Sequence, residues 1–345
     1  GRSGAHHHRR LMRAVVLVGG FGTRLRPLTF TTPKPMLTVG HRPIIENLVR
    51  MLAPAGVDEV VLALGFKPEP FMAAFPDGTC AGVRLHYAVE PEPLDTGGAI
   101  RFAAEHAGVE DTFVVVNGDV LTDLDVSELL AFHRRCGAEA TLHLTPVDDP
   151  SAFGVVDMDD SGLVSRFVEK PAPGTAPSNL INAGTYVFEP SVLARIPSGR
   201  KVSIERETFP QIVADGRLYA LATDDYWVDT GRPSLYRQAN LDMLDGRRRS
   251  LTCVAVEPGA DVDPSSRVEH SLVAKGARVE AGAKVSGSVI LPGAVIRRGA
   301  DVVDSIVMGD IGENATLRTC VIGAQGAVAA GATLSDAFVP DPSAA

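Results

Sequence analysis

Val15-Val16-Leu17-Val18 runs directly into Gly19-Gly20-Phe21-Gly22-Thr23-Arg24-Leu25-Arg26-Pro27-Leu28-Thr29, and Pro33-Lys34-Pro35-Met36-Leu37 follows close behind. An unbroken apolar run rich in valine reads as a strand buried on both faces, as in a parallel sheet. The glycines at 19, 20 and 22 then open a loop whose backbone N–H groups can approach an anion. Arg24, Arg26 and Lys34 add fixed positive charge to the same turn, which suits a triphosphate better than a neutral ligand. The glycine spacing fits neither the dinucleotide fingerprint nor the P-loop, and no Gly-Lys-Ser/Thr follows. A glycine-rich turn alone is a tight strand-to-helix connection; its coupling to the arginines and to Pro-Lys-Pro gives it chemical content.

Composition sets the outer bounds. A chain of 345 residues has room for two domains, and 45% hydrophobic with 22% charged residues is the balance of an ordinary globular protein. The net charge of -9 argues against a non-specific nucleic-acid or anionic-membrane surface, so a polyanionic substrate must be held by a local basic cluster. Cys80, Cys136, Cys253 and Cys320 lie far apart without a CxxC pair, which suggests neither a zinc site nor a disulfide framework. A reducing cytoplasm is the default expectation. No apolar run approaches the ~18 residues of a membrane span, and a signal-peptide stretch is not expected. Residues 1–11, with His6-His7-His8, read as the remnant of an added tag.

Along the chain, residues 43–52 carry apolar side chains at helical spacing and stop near Gly56. Residues 60–64 and 83–89 read as strands, and 70–75 and 99–106 as helices. Residues 112–116 form another strand that runs into Asn117-Gly118-Asp119, and Asp125 with Glu128 has the form of a capping box opening a helix through Cys136. This alternation predicts a parallel, doubly wound sheet with ligands at the carboxyl ends of its strands, where Gly19-Gly20 and Asp119 fall. From Ala140 the rhythm changes. Strands at 141–147, 154–158, 163–168 and 184–188, with little helix between them, predict a mixed or antiparallel extension. Helices return near 205–214 and 235–244, and between them Tyr226-Trp227-Val228-Asp229-Thr230-Gly231 sets a second carboxylate at a strand end. The run Arg247-Arg248-Arg249 reads as a solvated linker.

Beyond it the sequence is periodic. Apolar residues recur as Val256, Val262, Val268; Val273, Val279, Val285; Ile290, Ile296, Val302; Val307, Ile311, Leu317; and Ile322, Val328, Leu334. Ser271-Leu272-Val273, Ser288-Val289-Ile290, Ser305-Ile306-Val307 and Cys320-Val321-Ile322 recur at one phase. This is the hexapeptide rhythm of a parallel β-helix, whose coils bury their faces only by stacking.

Taken together, Gly19-Gly20-x-Gly22-Thr23-Arg24-Leu25-Arg26-Pro27-Leu28-Thr29 and Pro33-Lys34-Pro35-Met36 resemble the signature of the sugar-1-phosphate nucleotidyltransferases, also called nucleotide-sugar pyrophosphorylases. The resemblance runs from about Met12 to the end of the chain. Phe21, Phe167-Val168-Glu169-Lys170-Pro171 and Ile181-Asn182-Ala183-Gly184 are similar to the branch that uses GTP and mannose-1-phosphate. The expected fold class is α/β: a Rossmann-like, doubly wound mixed sheet forming a nucleotidyltransferase domain over residues 12–246, a linker over 247–254, and a left-handed parallel β-helix of hexapeptide repeats over 255–340.

The resemblance implies attack of a sugar-1-phosphate oxygen on the α-phosphorus of a nucleoside triphosphate. A phosphate monoester has its second pKa near ~6 and is already ionised at neutral pH. The site must therefore supply charge neutralisation and in-line positioning rather than a base. By resemblance, Arg24 and Lys34 hold the phosphates, and Asp119 and Asp229 hold Mg²⁺, with Lys170 the further catalytic group on the sugar phosphate. Leu17, Gly19, Gly20, Gly22, Thr23, Arg24, Leu94, Thr96, Gly97, Gly98 and Asn117 bind the nucleotide; Gly154, Glu169, Lys170 and Asn182 bind the sugar phosphate. Each aspartate alone could equally be a turn former. Where the family often has Leu-Gly-Thr-Ala-Gly, this chain has Leu94-Asp95-Thr96-Gly97-Gly98, so Asp95 could face the donor edge of guanine or point to water. A cyclitol phosphate, or glucose-1-phosphate with another nucleotide, stays open as substrate, as does a non-catalytic nucleotide-sugar sensor. Only His270 lies in the repeat region, which disfavours an acyltransferase there. The β-helix is expected to join subunits into a homo-oligomer, a dimer being commonest; neither nucleic acid nor a membrane is expected as a partner.

Overall fold

The computed structural model describes residues 11–66, 68–249 and 251–344. The tag remnant read at residues 1–11 lies, apart from Leu11, outside them. The chain packs as two compact units: the first ends its opening segment at Gly19 and adds Leu48–Gly118 and Leu124–Asp225; the second comprises Gly20–Asn47, Asp119–Asp123 and everything from Tyr226 onward.

A ten-stranded mixed sheet forms the first unit. Met12–Leu17 pairs in parallel with Val57–Leu64 on one side and with Phe113–Asn117 on the other, and Val83–Val89 continues beyond Val57–Leu64 in the same sense. Val15, Val16, Val60, Val61, Val114 and Val115 are fully buried, which is why these strands read as continuous apolar runs. Past Phe113–Asn117 the sheet reverses. Leu180–Phe188 runs antiparallel to it, Ala140–Pro146 and Gly154–Met158 run antiparallel to Leu180–Phe188, and Val164–Glu169 closes that edge. This is the mixed extension that the change of rhythm predicts. Its core holds Tyr186 stacked on Phe188 at 5.5 Å, with Phe209 edge-on to both rings. The register sets Leu17 opposite Asn117 at the carboxyl ends of neighbouring parallel strands.

In the second unit, the ribbon Val120–Thr122 with Trp227–Asp229, the helix Pro233–Leu244 and the repeats pack together. Three parallel sheets of five short strands make the walls of a β-helix. Val262, Val279, Ile296, Ile311 and Val328 stack in one wall, Val268, Val285, Val302, Leu317 and Leu334 in the second, and Val273, Ile290, Val307, Ile322 and Val339 in the third. The serine phase has a structural cause. His270, Gly287, Asp304, Thr319 and Asp336 occupy corners with φ between 42° and 55°, a left-handed conformation that side chains resist unless it is held from outside. At the second, third and fourth corners the N–H that follows is held by the serine one coil earlier. Ser271 Oγ accepts from Ser288 N at 2.9 Å, Ser288 Oγ from Ser305 N at 3.0 Å, and Ser305 Oγ from Cys320 N at 2.9 Å. Each hydroxyl also donates to the carbonyl two residues back, so the ladder is fully satisfied inside the coil.

Arg248 departs from the solvated run expected at 247–249. It is 4% exposed, donates to Asp123 Oδ1 and to the Thr122 carbonyl at 2.9 Å each, and lies over the Tyr226 ring. Its partner is remote in sequence, so local composition could not reveal the burial. Among the described residues no helix is long and apolar enough to cross a membrane, and none of the four cysteines is in a disulfide.

Candidate active site

The second unit gathers the phosphate and metal candidates. Gly22 sits at φ 61°, and a Cβ there would lie 2.9 Å from Thr29 Cγ2, so glycine is required by both conformation and space. Leu25 N and Thr29 Oγ1 both donate to the Gly22 carbonyl, folding the loop into a short turn that carries Thr23 and Arg24 exposed. Lys34 opens a second such turn, and its Nζ meets Asp119 Oδ2 at 2.7 Å. Asp119 is fixed from the backbone side, because its carbonyl accepts from both Thr230 N and Thr230 Oγ1.

Pairing of Asp229 with Val120 sets the second carboxylate beside the first. Burial, and then the charge of Asp119, push the Asp229 carboxyl up, while Lys34, a hydrogen bond from Gly231 N and Arg24 pull it back. Gly231 makes the approach possible. A Cβ there would lie 2.7 Å from Arg24 Nη2 and 2.8 Å from Asp229 Oδ1. Arg24, Lys34, Asp119 and Asp229 thus come together, and Gly231 joins them as a residue that spacing alone did not single out. The two carboxylates are hard oxygen donors whose mutual repulsion a divalent cation would relieve, a fit to Mg²⁺. Among the described residues no group of three or more His, Cys, Asp or Glu side chains could hold a metal, so phosphate oxygens and water would complete the shell.

The first unit holds the remaining candidates. Gly154 pairs with Glu169 across neighbouring strands, and a Cβ on Gly154 would lie 2.8 Å from Glu169 Oε2, so the glycine leaves room for the carboxylate. Lys170 follows, exposed, at φ 49°, with its N–H on the Phe153 carbonyl. Asn182 donates to the Tyr186 hydroxyl at 2.9 Å and accepts from Gly184 N; Gly184, at φ 79°, leaves space for Asn117. Burial raises the Glu169 pKa, and the charge of Glu205 adds to it. Glu205 was expected only as part of a helix. It lies instead in a π turn, Ile204–Thr208, and accepts from Thr96 Oγ1 at 2.7 Å and from Ser203 Oγ. Glu90 is a second carboxyl without a sequence signal, itself buried, lifted by that burial and accepting from Leu94 N, with Oε1 3.3 Å from where a Gly19 Cβ would stand.

The segment expected to read the nucleobase as a loop is the first turn of the helix Asp95–His106, four residues earlier than the helix expected from Ala99. The N–H groups of Gly97 and Gly98 are already committed to the Val202 carbonyl. Asp95 takes the left-handed conformation, φ 60°, and its Oδ1 accepts from Thr96 N at 2.7 Å. That explains how an aspartate can stand where the family often has glycine: Asp tolerates φ > 0 better than most residues.

Residues 13–246 match the family described as nucleotidyl transferase, and residues 245–339 match the GlmU-like C-terminal hexapeptide family. The chain belongs to the nucleotidyl transferase family. It is 46% identical over 235 residues to a mannose-1-phosphate guanylyltransferase of Mycobacterium tuberculosis, covering 68% of this chain and 65% of that one. A mannose-1-phosphate guanyltransferase of Aspergillus fumigatus is 41% identical over 269 residues, covering 74% and 73%. The chain therefore spans about two thirds of the length of the curated relatives it matches. HddC of Yersinia pseudotuberculosis, solved in complex with GMP-PN, superposes with a TM-score of 0.56 at 29% identity, over 67% of this chain and 98% of that one. Within this chain the charged cluster and the polar cluster belong to different compact units.

Proposed function

We propose that the chain is a Mg²⁺-dependent enzyme that joins GTP to mannose-1-phosphate, or to a close analogue such as a cyclitol phosphate, and releases pyrophosphate. The observation that carries this reading is the convergence of Arg24 and Lys34 with Asp119 and Asp229 behind the glycine loop. Two cations and two carboxylates without a nucleophile or a free histidine suit a reaction in which both reactants arrive charged. A sugar-phosphate oxygen forms the new bond to the α-phosphorus, the bond to the pyrophosphate oxygen breaks, and the leaving group carries away the electron pair. Arg24 and Lys34 neutralise the phosphates, and Glu169 accepts from sugar hydroxyls while Lys170 meets the sugar phosphate. Asp119 and Asp229 would hold Mg²⁺, which supplies charge neutralisation on the triphosphate. The preference for guanine rests on the names of the relatives and not on Asp95.

On this reading residues 12–246 form the catalytic part, 247–254 a connector and 255–340 an assembly module that makes a homo-oligomer, most simply a dimer, in a reducing cytoplasm. Pyrophosphate release across a panel of triphosphates and sugar phosphates under Mg²⁺ is the direct test. Turnover fastest with GTP and mannose-1-phosphate is the expected result, and no turnover with any pair would refute it.

A further inference from the structure

One column of the β-helix breaks its own pattern. The residue after each third-wall strand is Ala274, Leu291, Met308, Gly323 and Pro340, and the N–H groups of the first four all bond to the next coil in the same way. Only at 323 is the side chain missing. Gly323 is not among the residues with positive φ, so its conformation does not call for glycine. Space does. A Cβ on Gly323 would lie 2.8 Å from the carbonyl oxygen of Pro27 and 2.9 Å from its Cβ. Both residues are buried and both belong to the second unit.

Each side of this contact is rigid. Gly323 N donates to the Val339 carbonyl and the Gly323 carbonyl accepts from Gly326 N, each at 2.8 Å, so the turn cannot yield without losing its coil bonds. Pro27 is joined to the glycine loop by a short chain of bonds: its carbonyl accepts from Phe30 N, Arg26 N bonds to the Thr23 carbonyl, and Leu25 N to the Gly22 carbonyl. Arg24 lies inside that loop. We infer that the Gly323 turn of the β-helix is a seat for Pro27 that positions Arg24, which makes the repeat domain a participant in triphosphate binding. Gly323 is a positioning residue, and its effect on turnover rests on the role proposed above for Arg24.

Two full-length variants test the seat. Gly323→Ala adds a methyl that the fixed coil can accommodate only by displacing Pro27; Pro27→Gly leaves the coil intact and empties the seat. Each is expected to speed amide exchange in residues 20–30 and to raise KM for the triphosphate about 10-fold or more, since small misplacements are costly in positioned sites. KM for the sugar phosphate should stay within two-fold, and Ala324→Ser, on an exposed neighbour, should match the parent. If one variant fails to fold, the other decides. Unchanged exchange in residues 20–30 would overturn the seat even in a protein without turnover. Faster exchange with an unchanged triphosphate KM, in a protein that does turn over, would overturn the link to Arg24.

Discussion

Asp229 and Glu169 are both carboxyls lifted first by burial and then by a second carboxylate, Asp119 for the one and Glu205 for the other. Their surroundings differ in kind. Around Asp229 the partners are Lys34, Arg24 and the backbone of Gly231, groups that answer charge with charge. Glu169 is pulled back only by Lys170 and Arg206; the carboxylate that raises it, Glu205, accepts from the Thr96 and Ser203 hydroxyls, and Asn182 donates to the hydroxyl of Tyr186, single hydrogen bonds between polar groups. One arrangement suits phosphates and a metal ion, the other suits the hydroxyls of a sugar. The difference predicts a difference in what each loss costs.

Asp229→Asn should have the largest effect. It keeps the shape of the side chain but removes the charge that would hold the metal, and kcat is expected to fall by about 10³-fold. Steady-state rates at saturating substrates, with circular dichroism to confirm the fold, make the measurement. A variant within 10-fold of the parent would leave the charged cluster without its assigned role.

The supports of the two clusters also differ, and pH can separate them. In the first unit His143 is fully buried and hydrogen-bonded to Thr223, and burial pushes its pKa down to about 4. Its Nδ1 has no partner, so a second ring proton would have nowhere to donate. An unfolded histidine titrates near 6.5. Below that pH the unfolded chain binds a proton that the folded one refuses, so this contribution is intact above about pH 6.5 and is lost as pH falls towards 4, worth about 3 kcal/mol over the whole interval. The serine hydroxyls that form the ladder of the β-helix do not ionise in that interval. His143→Gln should flatten the fall of Tm between pH 6.5 and 5, and an unchanged slope would move the source elsewhere.

Glu169→Gln comes next. A neutral amide keeps part of the hydrogen bonding but loses the charged acceptor, so kcat/KM for the sugar phosphate should drop about 10- to 50-fold, with KM for the triphosphate nearly unchanged. An equal rise in both KM values would erase the contrast between the clusters.

How much of this could be read from the sequence follows from how local each constraint is. The repeat phase is legible because stacking imposes it on every coil, and Val262 to Leu334 fall where the periodicity places them. The strand before the glycine loop is legible because burial leaves no polar position from Ala14 to Val18. Arg248 was misread because Asp123 stands 125 residues away. Glu205 and Glu90 look like ordinary surface acids until the fold half-buries the one and buries the other, and Gly323 is one glycine among many until Pro27 is seen against it. The helix beginning at Asp95 was placed late because two glycines and a left-handed aspartate all argue for a loop.

That aspartate carries the smallest prediction. If Asp95 read guanine, its removal would change which triphosphate is preferred. Its Oδ1 is instead engaged with Thr96 N at the start of the helix, and its backbone adopts a conformation that glycine takes at no steric cost. Asp95→Gly therefore exchanges one local hydrogen bond for relief at φ 60°, and stability should move by less than about 0.5 kcal/mol. Asp95→Ala loses the bond without the relief and should cost about 1 kcal/mol more. In both variants the ratio of kcat/KM for GTP to that for the other triphosphates should stay within two-fold of the parent. A ratio that collapses in both, with the melting temperatures following the predicted order, would assign base recognition to the carboxylate and add this residue to the nucleotide site.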